Sequence, residues 1–87
     1  AEIGLVNRVA PEGGALDVAL DLAGAIAANG PLAVAATKAI AKQSADWSFT
    51  DGWREQDAIM MPVFSSADAR EGARAFAEKR PPVWTGR

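Results

Sequence analysis

The chain has 87 residues, no cysteine, no histidine and a formal net charge of −2. This length allows one small domain, and the apolar residues are rich in alanine, so we expect a thin core. Without cysteine or histidine there is no disulfide, thiol nucleophile, His-based catalysis or Cys/His metal site. The acidic balance argues against nucleic acid and membrane surfaces as partners. No apolar run approaches the roughly 20 residues of a membrane span, so we expect a cytoplasmic protein.

The charge is distributed unevenly along the chain. Residues 1–67 hold four Lys or Arg against eight Asp or Glu, whereas residues 68–87 hold five against three. The C-terminal part is therefore locally positive on an acidic body. This excess is compatible with a small anionic partner and equally compatible with none.

The N-terminal residues show a short apolar alternation. Ile3, Leu5 and Val9 recur in phase before Pro11, which predicts one short strand or an extended segment. A lone strand leaves its backbone donors and acceptors without a partner. We therefore expect the chain to be a fragment of a longer protein.

Four helices are predicted after this segment. Apolar residues recur at helical spacing, and Gly30 is the expected stop between the first two helices. Pro62 predicts a kink in the third helix or an early end near Met61. Ser65 and Asp68 match a capping pair, and Pro81 predicts that the fourth helix ends near Arg80. The predicted helices are 15–29, 31–44, 50–64 and a fourth after the SSAD stretch at 65–68. The fold class is thus all-α, with four helices and an N-terminal strand or extended stub.

Two carboxylate pairs and one apolar group are candidate sites. Asp17 with Asp21, and Asp51 with Glu55, share helix faces, but each pair lies in a first turn, where the helix dipole already favours negative charge. Dipole complementarity is therefore the favoured interpretation of both pairs. A further group could line an acyl pocket or fill a core, and we favour the core; it consists of Trp53, Met60, Met61 and Phe64.

The last helix holds the candidate that matters most. Phe76 and Lys79 are three residues apart, so one helix could present an aromatic ring and an ammonium group together. A flat ring suits a nucleotide base, and a lysine suits a phosphate.

The alternative for the last helix is purely structural. Phe76 would pack inward, while Lys79 and Arg80 would offset the negative end of the helix dipole. Arg74 would then form surface pairs with Glu71 and Glu78, each contributing only tenths of a kcal/mol. From the residues alone, both interpretations stay open, and the structural one is favoured.

Three strings carry a resemblance to a known family. GLVNRVAP, LAGAIAANGPLAVAATK and SADAREGARAFAEKRPPVW occur in order and cover almost the whole chain. Together they resemble the C-terminal part of enoyl-CoA hydratases of the crotonase superfamily. The resemblance does not distinguish hydratases from the isomerase, dehalogenase or synthase members.

The resemblance implies a parent enzyme of larger size. That enzyme would have an N-terminal β-β-α spiral and a C-terminal helical oligomerisation domain, residues 1–87 of this sequence, which builds trimers that commonly pair into hexamers. It would bind acyl-CoA thioesters and add water across the 2,3 double bond in fatty-acid metabolism. The oxyanion hole and two glutamates would lie in the N-terminal region, so no catalytic residue is expected in this chain, which alone would be inactive.

The resemblance also assigns a role to the last helix. Phe76 and Lys79 match the motif positions that lie by the CoA adenine and phosphates, so both are implied to contact CoA. No cofactor is expected, because CoA enters as part of the substrate. The alternative is a free-standing helical interaction module that binds no CoA.

Overall fold

Four helices form most of the chain, and the structure, a computed structural model, describes all 87 residues. They are α1 (Ala15–Ala27), α2 (Pro31–Gln43), α3 (Gly52–Phe64) and α4 (Ala67–Ala77), with a 3₁₀ turn at Ser44–Asp46. No residue lies in a β-strand, so of the two N-terminal alternatives the strand is not formed. The all-α, four-helix prediction is confirmed.

The junction between α1 and α2 is closed by Asn29 rather than by Gly30. The Asn29 side-chain amide donates to Ala25 O at 2.8 Å and to Ile26 O at 3.2 Å. Gly30 has φ −57°, so it is not the left-handed helix stop predicted from the sequence. It is instead the buried N-cap of α2.

No helix of this chain is by itself long and apolar enough to cross a membrane. The segments Ala15–Ala27 and Pro31–Asp46 reach that length and composition only together, and the chain bends by 110° between them.

The start of α4 differs from the prediction by one residue. Ser66, with extended backbone at φ −70° and ψ 162°, accepts the Ala69 N–H at 3.0 Å and is the N-cap. Ser65 still has helical backbone and its hydroxyl donates to Met61 O at 3.1 Å, so it closes α3 instead. Of the two alternatives predicted for Pro62, a kink or an early end near Met61, the early end is wrong, because the helix continues through Pro62 to Phe64.

Packing in the isolated chain is thin. α2 contacts α3, and α3 contacts α4, but Ala36 and Ala75 are the only buried residues with apolar side chains. The chain measures 44 × 39 × 18 Å, and its radius of gyration of 16.4 Å exceeds the about 12 Å of a compact chain this long. Its exposed area is 7042 Å², against roughly 4,900 Å² for a compact protein of this mass. The chain is thus flat and extended rather than compact.

Candidate functional site

Both residues implied to contact CoA lie at the C-terminal end of α4. Phe76 is 87% exposed, and Lys79 is exposed two residues beyond the last helical residue, Ala77. The helix therefore ends earlier than the predicted Arg80, and Lys79 lies in the turn that follows. The alternative in which Phe76 packs inward is wrong for this chain. A ring and an ammonium group are both free to meet another molecule.

The end of α4 is a Schellman motif that fixes the backbone of Lys79. The Arg80 N–H donates to Ala75 O at 3.0 Å, and the Lys79 N–H donates to Phe76 O at 3.2 Å. Lys79 has φ +52° and is the only non-glycine residue with positive φ. Left-handed backbone costs an ordinary residue roughly 1–2 kcal/mol, and glycine usually holds this position.

Arg80 is bound within the chain by two carboxylates. Its Nη1 and Nη2 lie 2.6 and 3.1 Å from the two oxygens of Glu71, and its Nε donates to Glu78 at 2.5 Å. Glu71 is 19% exposed at its side chain and Arg80 34%. The predicted pairs of Arg74 with these two glutamates are not formed. Arg80 therefore forms ion pairs with carboxylates of α4 and of the residue that follows it, in addition to lying near the negative end of the helix dipole.

Glu71 joins this ion pair to the residues that follow. Its Oε1 also accepts the Val83 N–H at 3.0 Å. The hydrogen bond from Arg80, followed by that from Val83, lowers the pKa of Glu71 from its ordinary 4.5 to about 2. The same contacts with Glu71 and Glu78 raise the pKa of Arg80. The pair is thus fully charged across the physiological pH range.

The C-terminal segment, residues 81–87, returns along α4 and is held at Asp68. This carboxylate, 5% exposed, accepts the Thr85 N–H at 2.8 Å, the Thr85 hydroxyl at 2.9 Å and the Gly86 N–H at 2.8 Å. The hydrogen bond from the Thr85 backbone is the main cause that lowers the pKa of Asp68. Both oxygens are thus committed to the C-terminal segment, so the predicted capping pair of Asp68 with Ser65 is wrong.

Trp84 connects the C-terminal segment to α1. Its Nε1–H donates to Ala28 O at 2.9 Å, just after the end of α1. The ring faces Gly30 and Gly72, where a Cβ would lie 3.6 and 3.1 Å from its nearest atoms. Trp84 also borders an apolar cleft of about 330 Å³ between α2, α3 and α4, further lined by Leu32, Ala33, Met60, Val63 and Phe64.

The apolar group predicted on α3 does not form one cluster. Met60 lines the cleft beside Trp84, whereas Trp53 borders a different groove together with Phe49. Met61, Phe64 and Trp53 are 60%, 66% and 72% exposed. The favoured core interpretation therefore does not hold within this chain for these three residues.

The carboxylate pairs lie on the surface of α1 and at the start of α3. Asp17 lies in the first turn of α1, but Asp21 lies one turn further on, so the first-turn prediction is wrong for Asp21. Asp51 and Glu55, each with a side chain 47% exposed, lie 3.0 and 3.8 Å from the Arg54 guanidinium. Both carboxylates are therefore paired on the surface with an arginine of the same turn.

The whole chain, residues 1–87, matches the model of a protein family described as enoyl-CoA hydratase/isomerase. The chain belongs to the enoyl-CoA hydratase/isomerase family. It is 45% identical over 86 residues to enoyl-CoA hydratase EchA19 of Mycobacterium tuberculosis, covering 99% of this chain and 32% of that protein. It is 40% identical over 88 residues to carnitinyl-CoA dehydratase of Salmonella paratyphi A, covering 97% and 34%. The chain thus spans about a third of the length of these relatives.

Solved structures of this family show the same arrangement of helices. An enoyl-CoA hydratase from Mycobacterium tuberculosis H37Rv superposes with a TM-score of 0.97 at 57% identity, covering 99% of this chain and 34% of that one. A probable enoyl-CoA hydratase/isomerase from Mycobacterium abscessus gives a TM-score of 0.93 at 57% identity, covering 97% and 33%. The helical chain corresponds to the C-terminal helical part of the crotonase fold.

Three parts of the site were not predicted from the sequence. They are the Glu71–Arg80 pair, the Asp68 contacts with residues 85 and 86, and the Trp84 contact with Ala28. Helical spacing does not reveal contacts between residues nine, 17 and 56 positions apart. The one usable signal was the Pro81–Pro82 pair, which ends the helix and redirects the chain.

Proposed function

We propose that this chain is the C-terminal helical domain of a longer enoyl-CoA hydratase-like enzyme, and that Phe76 and Lys79 contact the CoA part of an acyl-CoA thioester. The observation that carries the proposal is the pair at the end of α4: a phenyl ring that is 87% exposed, and a lysine in left-handed backbone. The ring suits stacking on the adenine, and the ammonium group suits a phosphate.

The parent enzyme would add water across the 2,3 double bond of a trans-2-enoyl-CoA. Hydratases and a dehydratase among the relatives support this class of reaction. This chain would contribute no catalytic residue, and CoA would enter as part of the substrate rather than as a resident cofactor. The 87-residue chain alone should therefore hydrate crotonyl-CoA no faster than buffer does.

Kinetics of the intact enzyme test the CoA contact. Lys79→Ala and Phe76→Leu are each expected to raise KM for crotonyl-CoA about tenfold, the effect of about 1.4 kcal/mol. Their kcat should stay close to the unsubstituted value, because both contacts are remote from the reacting bond. Crotonyl-pantetheine lacks the adenine and its phosphates, so its KM should change little.

The matched control is Lys42→Ala, which removes an exposed lysine near the end of α2. It is expected to leave the KM for crotonyl-CoA unchanged. If Lys79→Ala and Phe76→Leu behaved like this control, the CoA contact would be refuted. The free-standing interaction module without CoA binding would then be favoured.

The flat shape of the chain supports a second role, in assembly. Thirteen large apolar side chains are exposed, and the area exceeds that of a compact protein by roughly 2,100 Å². Large exposed apolar patches on a soluble protein usually mark surfaces that bind other protein. We therefore propose that these exposed side chains pack on the N-terminal part of the enzyme and on other subunits of a trimer or dimer of trimers.

Light scattering tests the assembly. The full-length enzyme should have the mass of a trimer or hexamer, and a monomer at micromolar concentration would contradict the proposal. The isolated 87-residue chain should be marginally stable or self-associating. A monomeric chain that melts cooperatively above about 90 °C would argue against this role.

A further inference from the structure

Two cationic side chains follow α4 directly, and the structure gives them different surroundings. Four of the five guanidinium N–H donors of Arg80 are occupied: Nε by Glu78, Nη1 by Glu71 and by Pro81 O at 3.2 Å, and Nη2 by Glu71. Lys79 forms no ion pair and donates no side-chain hydrogen bond. The lysine therefore has all its donors available to an outside anion, whereas Arg80 has one.

Arg80 also removes the carboxylates that could neutralise its neighbour. Glu78 precedes Lys79 in the chain, but its carboxylate is bound by the Arg80 Nε. Glu71, the nearest acidic residue on the preceding turns of α4, is engaged on both oxygens. The Lys79 ammonium is thus not drawn back onto the helix.

The same contacts constrain the backbone on both sides of Lys79. Before it, α4 ends in the bonds to Ala75 O and Phe76 O. After it, the Arg80 side chain returns to Glu71, and Glu71 also accepts the Val83 N–H. A left-handed lysine persists only when its surroundings determine its conformation.

We infer that Glu71 and Arg80 form a clamp that positions Lys79 towards the CoA phosphates, and that Arg80 is not itself a phosphate ligand. Arg80 and Glu71 are then positioning residues, which act through Lys79. The inference rests on the proposed contact between Lys79 and CoA. It extends that proposal by separating the two adjacent cations into one that binds and one that orients.

An electrostatic role and a positioning role of Glu71 predict opposite changes in KM for Glu71→Gln in the intact enzyme. Glu71→Gln removes a negative charge near the bound phosphates, so a purely electrostatic role would lower KM for crotonyl-CoA. The clamp predicts the reverse, a rise of about fivefold, because Arg80 loses its bidentate partner. Glu55→Gln removes an ion-paired glutamate on α3 and is the control expected to leave KM unchanged. A KM that falls or stays constant in Glu71→Gln overturns the inference.

A double variant separates positioning from direct binding. Arg80→Gln alone should raise KM for crotonyl-CoA about fivefold, with crotonyl-pantetheine little affected. Because Arg80 acts through Lys79, the double variant Lys79→Ala/Arg80→Gln should have the same KM for crotonyl-CoA as Lys79→Ala alone. Effects that multiply would show that Arg80 binds the phosphates itself, which overturns the inference.

Hydrogen exchange distinguishes failure of the clamp from failure of the CoA contact. The Arg80 N–H is held by Ala75 O, so its exchange should accelerate about tenfold in Glu71→Gln when the clamp is released. If Lys79→Ala leaves KM unchanged, the proposed CoA contact is wrong whatever the exchange shows. If exchange of Arg80 is unchanged in Glu71→Gln, the clamp is wrong whatever the kinetics show.

Discussion

Gly72→Ala tests whether the indole ring of Trp84 is held between α1 and α4. The ring is fixed on one side by the bond from Nε1–H to Ala28 O at 2.9 Å. On its other side, a Cβ added to Gly72 would lie 3.1 Å from Cη2 and 3.4 Å from Cζ3. Optimal carbon–carbon separation is about 3.5–4.0 Å, so the ring must move away from α4 by a few tenths of an ångström.

The cost of this movement should be about 1–2 kcal/mol, the lower part of the range for over-packing, because Trp84 is only half-buried. α4 stays helical when the C-terminal segment opens. The helix propensity gained on replacing glycine by alanine is therefore the same in the closed and open states, and it cancels. The open population should rise by a factor of roughly 5–30.

Native-state hydrogen exchange measures this opening. The amides of Thr85 and Gly86 donate to Asp68, so they exchange when the C-terminal segment leaves α4. Gly24→Ala is the matched control inside α1, since a Cβ there meets nothing within 4 Å. It should leave both amides unchanged.

A second background isolates the contact between residues 72 and 84. In Trp84→Phe the shorter ring does not reach the position of Cη2, so Gly72→Ala should have little further effect there. If the Thr85 and Gly86 amides of Gly72→Ala exchange at the unsubstituted rate when Trp84 is present, the ring is not held against α4. Trp84 would then not anchor the C-terminal segment.

Three further predictions concern the same region. Trp84→Phe alone should lower the opening free energy by about 1 kcal/mol through loss of the bond to Ala28 O, and unchanged exchange of Thr85 would contradict this. Folding lowers the pKa of Glu71 from 4.5 to about 2 and lowers the pKa of Asp68 from its ordinary 3.8, so their stabilisation is present above about pH 4.5 and is lost towards pH 2. Opening that stays constant between about pH 5 and pH 2 would contradict this sign. Lys79→Gly should raise the urea midpoint by the equivalent of about 1 kcal/mol while weakening CoA binding, and a lower midpoint would show that the lysine is not strained.

The helices were predictable because their information is local. Apolar spacing, Pro31 at the first position of α2 and the serines before α4 each act within one or two turns. The errors were also local. Asn29 closes α1 with its side chain where Gly30 was expected to, and Ser66 rather than Ser65 has the extended backbone that an N-cap needs.

The C-terminal segment was not predictable in the same way. Its anchors join residues 68 with 85 and 28 with 84, and no periodicity encodes such pairs. Placing the end of α4 near Arg80 also assigned Lys79 to the helix, which concealed its left-handed backbone. The exposure of Phe76 was not predictable from the sequence either, because an aromatic residue on a helix usually packs inward.

The strained lysine and the anchored C-terminal segment have a common explanation. A local rule favours glycine at the position of Lys79, and departures from such rules concentrate where function requires them. The cost of the left-handed backbone is offset by the contacts of the next residues, since Glu71 accepts hydrogen bonds from both Arg80 and Val83. Trp84, the next residue, carries the same restraint to the end of α1 through Ala28 O. The contacts that follow Lys79 in the chain therefore extend from α4 to the end of the first helix.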